Sequence, residues 1–199
     1  MPRAVFLDRD GVLNRVFLHA DGKTHPPQAL EQLEILPGVP EACMSLHRAG
    51  FLLIVVTNQP DVARGTQRRE VVEAINRELR RQIPLDEIRV CYHDHADDCL
   101  CRKPKPGMLI EAAHVWDIDF RKSYMIGDRW TDVEAGRRAG CKTALINAAI
   151  TGVRRCQPDF QTASLWEAMK WILRQSYIRK SALPKASLRT RTNLKGGRL

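Results

Sequence analysis

Two carboxylates spaced two apart, Asp8 and Asp10, follow the apolar run Ala4-Val5-Phe6-Leu7 and precede Gly11 and Val12. A short unbroken apolar run suits a strand buried on both faces. Side chains alternate along a strand, so chain that stays extended past Leu7 turns both carboxylates the same way. At the C-terminal end of a central strand of an open α/β sheet, such a pair invites a hard cation such as Mg²⁺. A solvated Asp-Arg-Asp-Gly turn closing an ordinary strand fits the same residues equally well. Other segments must decide between the two.

Several of them end in the groups that phosphate chemistry needs. The apolar run Phe51–Val56 leads into Thr57-Asn58-Gln59, and Tyr124-Met125-Ile126-Gly127 leads into Asp128, followed by Asp132. Between them, Arg102-Lys103-Pro104-Lys105-Pro106 opens a helix. In a parallel sheet the C-terminal strand ends lie together, so all four segments can share one cleft. A carboxylate can attack phosphorus, a hydroxyl and an ammonium can hold phosphoryl oxygens, and a further acid can complete a Mg²⁺ site. Phosphoryl transfer depends mainly on such positioning and charge neutralisation.

A second constellation is Cys91-Tyr92-His93-Asp94-His95 with Cys99-Leu100-Cys101. Three thiolates and one imidazole make a closed tetrahedral Zn²⁺ site with no open position, hence a structural one. The Cys-x-His spacing favours Cys91, His93, Cys99 and Cys101 as ligands and leaves His95 outside. The site fastens the loop just before Arg102 and Lys103.

The elements that must position these groups alternate. Helices are expected from about Val39 to Ala49, Arg68 to Gln82, Pro106 to Trp116, Thr131 to Ala139 and from Ser164 onward. Strands are expected at 4–7, 51–56, 88–92, 124–127 and 143–146, with an irregular loop at 14–37. That alternation predicts an α/β fold, a single Rossmann-like parallel sheet flanked by helices. Residues 14–37 and 58–90 are too short to hold a separate cap domain.

The chain has 199 residues, 44% hydrophobic and 28% charged, with a formal net charge of +9. Eight of its 32 Lys and Arg fall in residues 174–199, which hold no acid, so the remainder carries 24 bases against 23 acids. The basicity therefore belongs to a tail. Residues 1–176 are expected to form the domain and 177–199 a basic, disordered tail; acidic polymers or membrane lipids are its conceivable contacts. No apolar run reaches the roughly 18 residues that span a bilayer, and the N-terminus lacks a signal-peptide pattern. A cytoplasmic monomer without membrane insertion is expected. The clustered cysteines of such a chain read as metal ligands rather than disulfides.

The ordered set Asp8-Arg9-Asp10-Gly11-Val12, Thr57-Asn58, Lys103 and Gly127-Asp128 with Asp132 resembles the four motifs of the haloacid dehalogenase superfamily of phosphotransferases. The resemblance spans residues 4–146. It implies that Asp8 is a nucleophile forming an aspartyl-phosphate. Asp10 would act as acid and then base, and Thr57 and Lys103 would steady the phosphoryl group. Mg²⁺ would sit between Asp8, Asp128 and the backbone carbonyl of Asp10. Asp132 either joins that site or simply favours a helix dipole. The Asp-Arg-Asp-Gly-Val-Leu-Asn opening, Ala63-Arg64-Gly65, the zinc loop and Cys-Arg-Lys-Pro with Pro106-Gly107-Met108 are similar to the histidinol-phosphatase-like branch. Within it they look most like the D-glycero-D-manno-heptose 1,7-bisphosphate 7-phosphatases, whose product feeds nucleotide-activated heptose for surface polysaccharide.

That resemblance implies a small phosphorylated sugar as substrate, contacted by Asn58, Arg102 and Arg129. Pro60-Asp61-Val62 departs from the family's small residues after Thr-Asn-Gln; Asp61 either points away or selects hydroxyls or a cationic group. Histidinol-phosphate phosphatase is the nearest alternative, and a polynucleotide 3′-phosphatase one of another substrate class. The near-neutral body, without an aromatic and basic stripe, speaks against nucleic acid. An inactive zinc-stabilised binding module is the reading outside catalysis, opposed by the intact Asp8, Asp10, Lys103 and Asp128.

Overall fold

Ala4, Val5, Phe6 and Leu7 have no exposed surface, because their strand lies mid-sheet with helices on both faces. The computed structural model describes residues 1–18, 24–146 and 156–181. In chain order it contains β1 (Arg3–Leu7), β2 (Phe17–Leu18), β3 (Thr24–His25), α1 (Val39–Arg48), β4 (Phe51–Asn58) and α2 (Arg69–Gln82). There follow β5 (Glu87–Cys91), α3 (Gly107–Trp116), β6 (Tyr124–Gly127), α4 (Trp130–Ala139), β7 (Lys142–Ile146), β8 (Phe160–Thr162) and α5 (Leu165–Ser181). Six strands form one parallel sheet in the order β5-β4-β1-β6-β7-β8.

The period-2 alternation of β1 splits its apolar residues between two cores. Val5 and Leu7 pack with Leu46 of α1, Ile75 and Leu79 of α2, and Met169 and Ile172 of α5. Ala4 and Phe6 pack on the other face with Met108, Leu109 and Ala112 of α3 and Ala135 of α4. Each fully buried side chain of this size contributes roughly 1.5–3 kcal/mol of transfer free energy. The chain runs from β1 outward through β4 and β5, then returns to β6 on the other side of β1. That reversal opens a crevice at the C-terminal ends of β1, β4 and β6, where open α/β sheets bind ligands.

The expected helices and the first five strands of the sheet are present, and the described residues contain no separate cap domain. Two elements exceed the expectation. The 14–37 loop carries a small antiparallel hairpin, with Phe17 paired to His25 and Leu18 to Thr24; His19 and Gly22 lie outside the described residues. A sixth strand, β8, joins the edge. Trp171 of α5 stacks on Phe160 at 5.1 Å and meets Tyr124 edge-on at 5.3 Å, while the Asp159 carboxylate accepts from the Thr143 N–H at 2.8 Å. Helix α5 continues to Ser181, past the expected boundary at 176; the tail beyond it lies outside the described residues. Among the described residues no helix is long and apolar enough to cross a membrane.

Candidate active site

Leu7 is in register with Val55 of β4 and Ile126 of β6, so the residues just beyond all three converge. The Asp8 N–H still donates to the Ile126 carbonyl at 2.9 Å. The Asp8 Oδ1 accepts from the Arg9 N–H at 2.8 Å and lies 2.9 Å from Lys103 Nζ. Lys103 is only 3% exposed and also reaches Asp132 Oδ1 at 2.6 Å. Burial alone would lower the Lys103 ammonium, but Asp132 and Asp8 outweigh it and raise its pKa. It therefore stays charged.

Asp8, Asp128 and Asp132 are buried, and each offers an oxygen within 4.8 Å of the others. Burial pushes Asp8 up to about 6, Lys103 opposing the rise and Asp132 and Asp10 adding to it. Asp128 is pushed to about 8 by burial and then by the charges of Asp8 and Asp132. Its Oδ1 is buried without a hydrogen-bond partner. Crowded carboxylates with an orphaned oxygen suit a hard divalent cation, so the donor set fits Mg²⁺. Asp132 also serves the helix: its Oδ2 accepts from the Arg129 N–H at 3.0 Å at the start of α4. Asp132 thus stands both beside the other two carboxylates and at the helix start.

Thr57 is 1% exposed and its Oγ1 accepts from Gln59 Nε2 at 2.9 Å. Asn58 lines the same cavity as Asp8 and Lys103, and its amide also fastens the backbone of the lysine. Its Nδ2 donates to the Lys103 carbonyl and its Oδ1 accepts the Lys103 N–H, both at 3.1 Å. With both ends of the amide occupied by backbone, Asn58 ties the lysine to the end of β4.

Asp8, Asp10, Thr57 and Lys103 line a cavity of about 590 Å³, together with Arg102, Arg129 and residues of the β2–β3 hairpin. Arg102 Nη1 donates to the His93 carbonyl at 3.1 Å, and Arg129 Nη2 reaches Thr24 Oγ1 at 3.5 Å. Asp61 also lines the cavity, paired with Arg64 at 3.3 Å. Arg64 in turn forks onto Asp94 at 2.8 and 2.6 Å, fastening the loop after β4 to the cysteine loop.

Cys91, His93, Cys99 and Cys101 converge as expected. Cys101 Sγ lies 3.3 Å from Cys91 Sγ, 3.4 Å from Cys99 Sγ and 3.3 Å from His93 Nδ1, and Cys91 and Cys99 are 3.7 Å apart. Bonds of about 2.0–2.3 Å to one central ion give edges of this order, and three sulfurs with one imidazole are the donors of a structural Zn²⁺ site. His95 is not part of the cluster.

Sequence reasoning missed the residues around Asp10, namely Arg9, Asn14, Gln59 and Asn76. Arg9 has no exposed surface. Asn76 carried a readable signal, a polar residue on the inward stripe of α2 between Val72 and Leu79.

Residues 100–168 match the family model described as HAD-hydrolase-like. The D-glycero-D-manno-heptose-1,7-bisphosphate 7-phosphatase of Thermosynechococcus vestitus is 34% identical over 86% of this chain and 96% of its own. The D-glycero-beta-D-manno-heptose-1,7-bisphosphate 7-phosphatase of Rhodopseudomonas palustris is 37% identical over 69% of this chain and 79% of its own. The crystal structure of D,D-heptose 1,7-bisphosphate phosphatase from B. bronchiseptica, complexed with magnesium and phosphate, superposes with a TM-score of 0.75. It is 29% identical and covers 87% of this chain and 99% of its own. With its buried carboxylates, lysine and cysteine loop in the arrangement described above, the chain belongs to the D-glycero-D-manno-heptose-1,7-bisphosphate 7-phosphatase family of haloacid dehalogenase-like phosphatases.

Proposed function

We propose that this enzyme removes the 7-phosphate of D-glycero-D-manno-heptose 1,7-bisphosphate in two displacements at phosphorus. The observation that carries the reading is the convergence of Asp8, Asp10, Thr57 and Lys103 on one cavity of about 590 Å³, a volume suited to a small ligand.

Lys103 and the Arg9 N–H both hold the Asp8 Oδ1, which leaves Oδ2 to attack phosphorus. The ester P–O bond breaks as the Asp8–phosphorus bond forms, and Asp10 gives a proton to the departing sugar oxygen. Burial alone would raise the Asp10 pKa, but the charge of Arg9 and hydrogen bonds from Arg9, Asn14 and Gln59 hold it below the usual carboxylate value. The entering phosphoryl charge raises its proton affinity, and departure of the sugar leaves it ionised again. Asp10 then takes the proton of the water that hydrolyses the aspartyl-phosphate. Lys103 Nζ and Thr57 Oγ1 donate to the phosphoryl oxygens throughout, while Arg102 and Arg129 engage the sugar or its second phosphate. Asp8, Asp128 and the Asp10 carbonyl would hold Mg²⁺, which neutralises charge on the transferring group. The magnesium and phosphate in the B. bronchiseptica structure support that assignment, and the Zn²⁺ of the cysteine loop is structural.

The test is a Mg²⁺-dependent phosphate-release assay on both anomers of the heptose bisphosphate, histidinol phosphate and a 3′-phosphorylated oligonucleotide. The expected result is fastest turnover of the heptose bisphosphate, with phosphate leaving C7, and none with Asp8→Asn. Release from C1 alone, preference for another ester, or full activity of Asp8→Asn overturns the proposal.

A further inference from the structure

Four hydrogen bonds converge on the Asp10 side chain. Arg9 forks onto it, Nε 3.2 Å from Oδ1 and Nη2 3.0 Å from Oδ2. Asn14 Nδ2 donates to Oδ1 at 3.0 Å, and Gln59 Nε2 to Oδ2 at 2.7 Å. A carboxylate offers about four lone-pair sites, so these donors together restrict how it turns, and one of them yields its site when Asp10 carries a proton. Arg9 itself is entirely buried, and a guanidinium taken out of water costs several kcal/mol unless its donors are paired. Its remaining arm, Nη1, donates to Asn76 Oδ1 on α2 at 3.0 Å. Asn76 is 8% exposed, and neither it nor Arg9 lines the substrate cavity.

A fork between adjacent residues shares one short stretch of backbone, so that stretch does not fix the guanidinium plane by itself. The bond to Asn76 does, by fastening the free arm to a helix 67 residues away in the chain. We propose that Asn76, acting through Arg9, is a positioning residue that sets the orientation of the Asp10 carboxylate. Asp10 serves both displacements, and the effect is larger on the second. In the first, the attacking Asp8 is held by Lys103 and a backbone N–H, neither of which depends on Asn76, and Asp10 gives its proton to an ester oxygen that the bound substrate fixes. In the second, Asp10 must meet the proton of a small, loosely held water, and displacements near 1 Å cost about 10²-fold. The inference rests on the phosphatase reading above.

The experiment compares wild type, Asn76→Ala and Asn76→Asp by rapid quench with heptose bisphosphate labelled at the 7-phosphate. Asn76→Ala leaves Nη1 without its acceptor. Asn76→Asp keeps the volume, so it serves where alanine disturbs folding, and its charge competes with Asp10 for the guanidinium. For both, kcat is expected to fall about tenfold or more, part of the roughly 10²–10⁴-fold that a positioned acid–base group supplies. KM stays within about twofold, since no substrate contact is lost. The diagnostic is the fraction of enzyme carrying label on Asp8, which rises as kcat falls. A merely structural loss lowers kcat and labelled enzyme in parallel, and that result overturns the proposal. So does wild-type kcat in both variants, or a change confined to KM. Wild type that neither takes label nor releases phosphate sinks the functional reading, and this one with it; normal wild-type turnover with unaffected variants sinks this one alone.

Discussion

Replacing Gly11 by alanine probes how closely the first strand end and the Asp128 carboxylate, a proposed Mg²⁺ ligand, are fitted together. Gly11 has φ of +86°, and a Cβ built there lies 2.4 Å from Asp128 Oδ2 and 2.8 Å from its Cγ. Two separate costs follow. An L side chain in the left-handed region costs roughly 1–2 kcal/mol, and at about 2–4 °C per kcal/mol for a domain of this size the melting temperature falls by about 2–8 °C. To restore an ordinary contact near 3.4 Å, the Asp128 carboxylate must also withdraw by about 1 Å. A misplacement of that size costs about 10²-fold in turnover. The assays are thermal unfolding in chelator, which reads the backbone cost, and phosphate release against Mg²⁺ concentration, which reads the displaced ligand. The expected Gly11→Ala enzyme melts modestly lower, needs more Mg²⁺ for half-maximal rate and turns over far more slowly. A variant that melts lower yet keeps the wild-type Mg²⁺ midpoint and rate refutes the reasoning, because Asp128 has then moved without consequence.

Metal-free enzyme should lose stability as pH rises. Asp8 and Asp128 have folded-state values of about 6 and about 8 against 3.8 unfolded, so the folded state binds more protons across that window and stability falls from about pH 4 to pH 8; melting curves in chelator that rise with pH, or a slope that saturating Mg²⁺ does not flatten, contradict this. Cys101→Ser removes the sulfur nearest the other three donors of the proposed zinc site, so metal analysis should show zinc bound by the wild type and lost from the variant, with a lower melting temperature and a weakened Lys103-dependent rate; full zinc content in the variant refutes the assigned ligand set. Asp159→Ala leaves the Thr143 N–H and hydroxyl without their acceptor at the β7–β8 edge. It should destabilise by about 1–3 kcal/mol in denaturant titration while leaving KM unchanged; unchanged stability means that the Asp159 carboxylate does not hold this edge.

What could be read from the chain follows from what each residue's neighbours in sequence determine. Apolar runs ending in carboxylates or a threonine mark buried strands whose ends meet, so Asp8, Thr57, Lys103 and Asp128 were legible, as was the cysteine loop with its tight spacing. Arg9 was not. A charged residue between two acids looks solvated until Asn76, brought over by α2, gives its last donor a partner. The structural part played by Asn58 was hidden for a similar reason: only the fold delivers the Lys103 backbone to both ends of its amide. Strands of two or three residues, such as β2, β3 and β8, are too short to alternate. Besides its pairing with β7, β8 is held by Trp171 and Asp159, residues outside the strand itself.

The order of strands also has a bearing on synthesis. β1 has both of its sheet partners far downstream, β4 from residue 51 and β6 from residue 124, and the Ala4 N–H donates to Ser123 Oγ. Such distant pairings give the fold a high contact order. Asp8 leaves the ribosome 120 residues ahead of Asp128, an interval of about 6–24 s at the usual elongation rates. Throughout that interval the nascent chain carries an apolar β1 with at least one edge unmatched, a surface suited to chaperone capture, and the carboxylate pocket closes only when β6 is released.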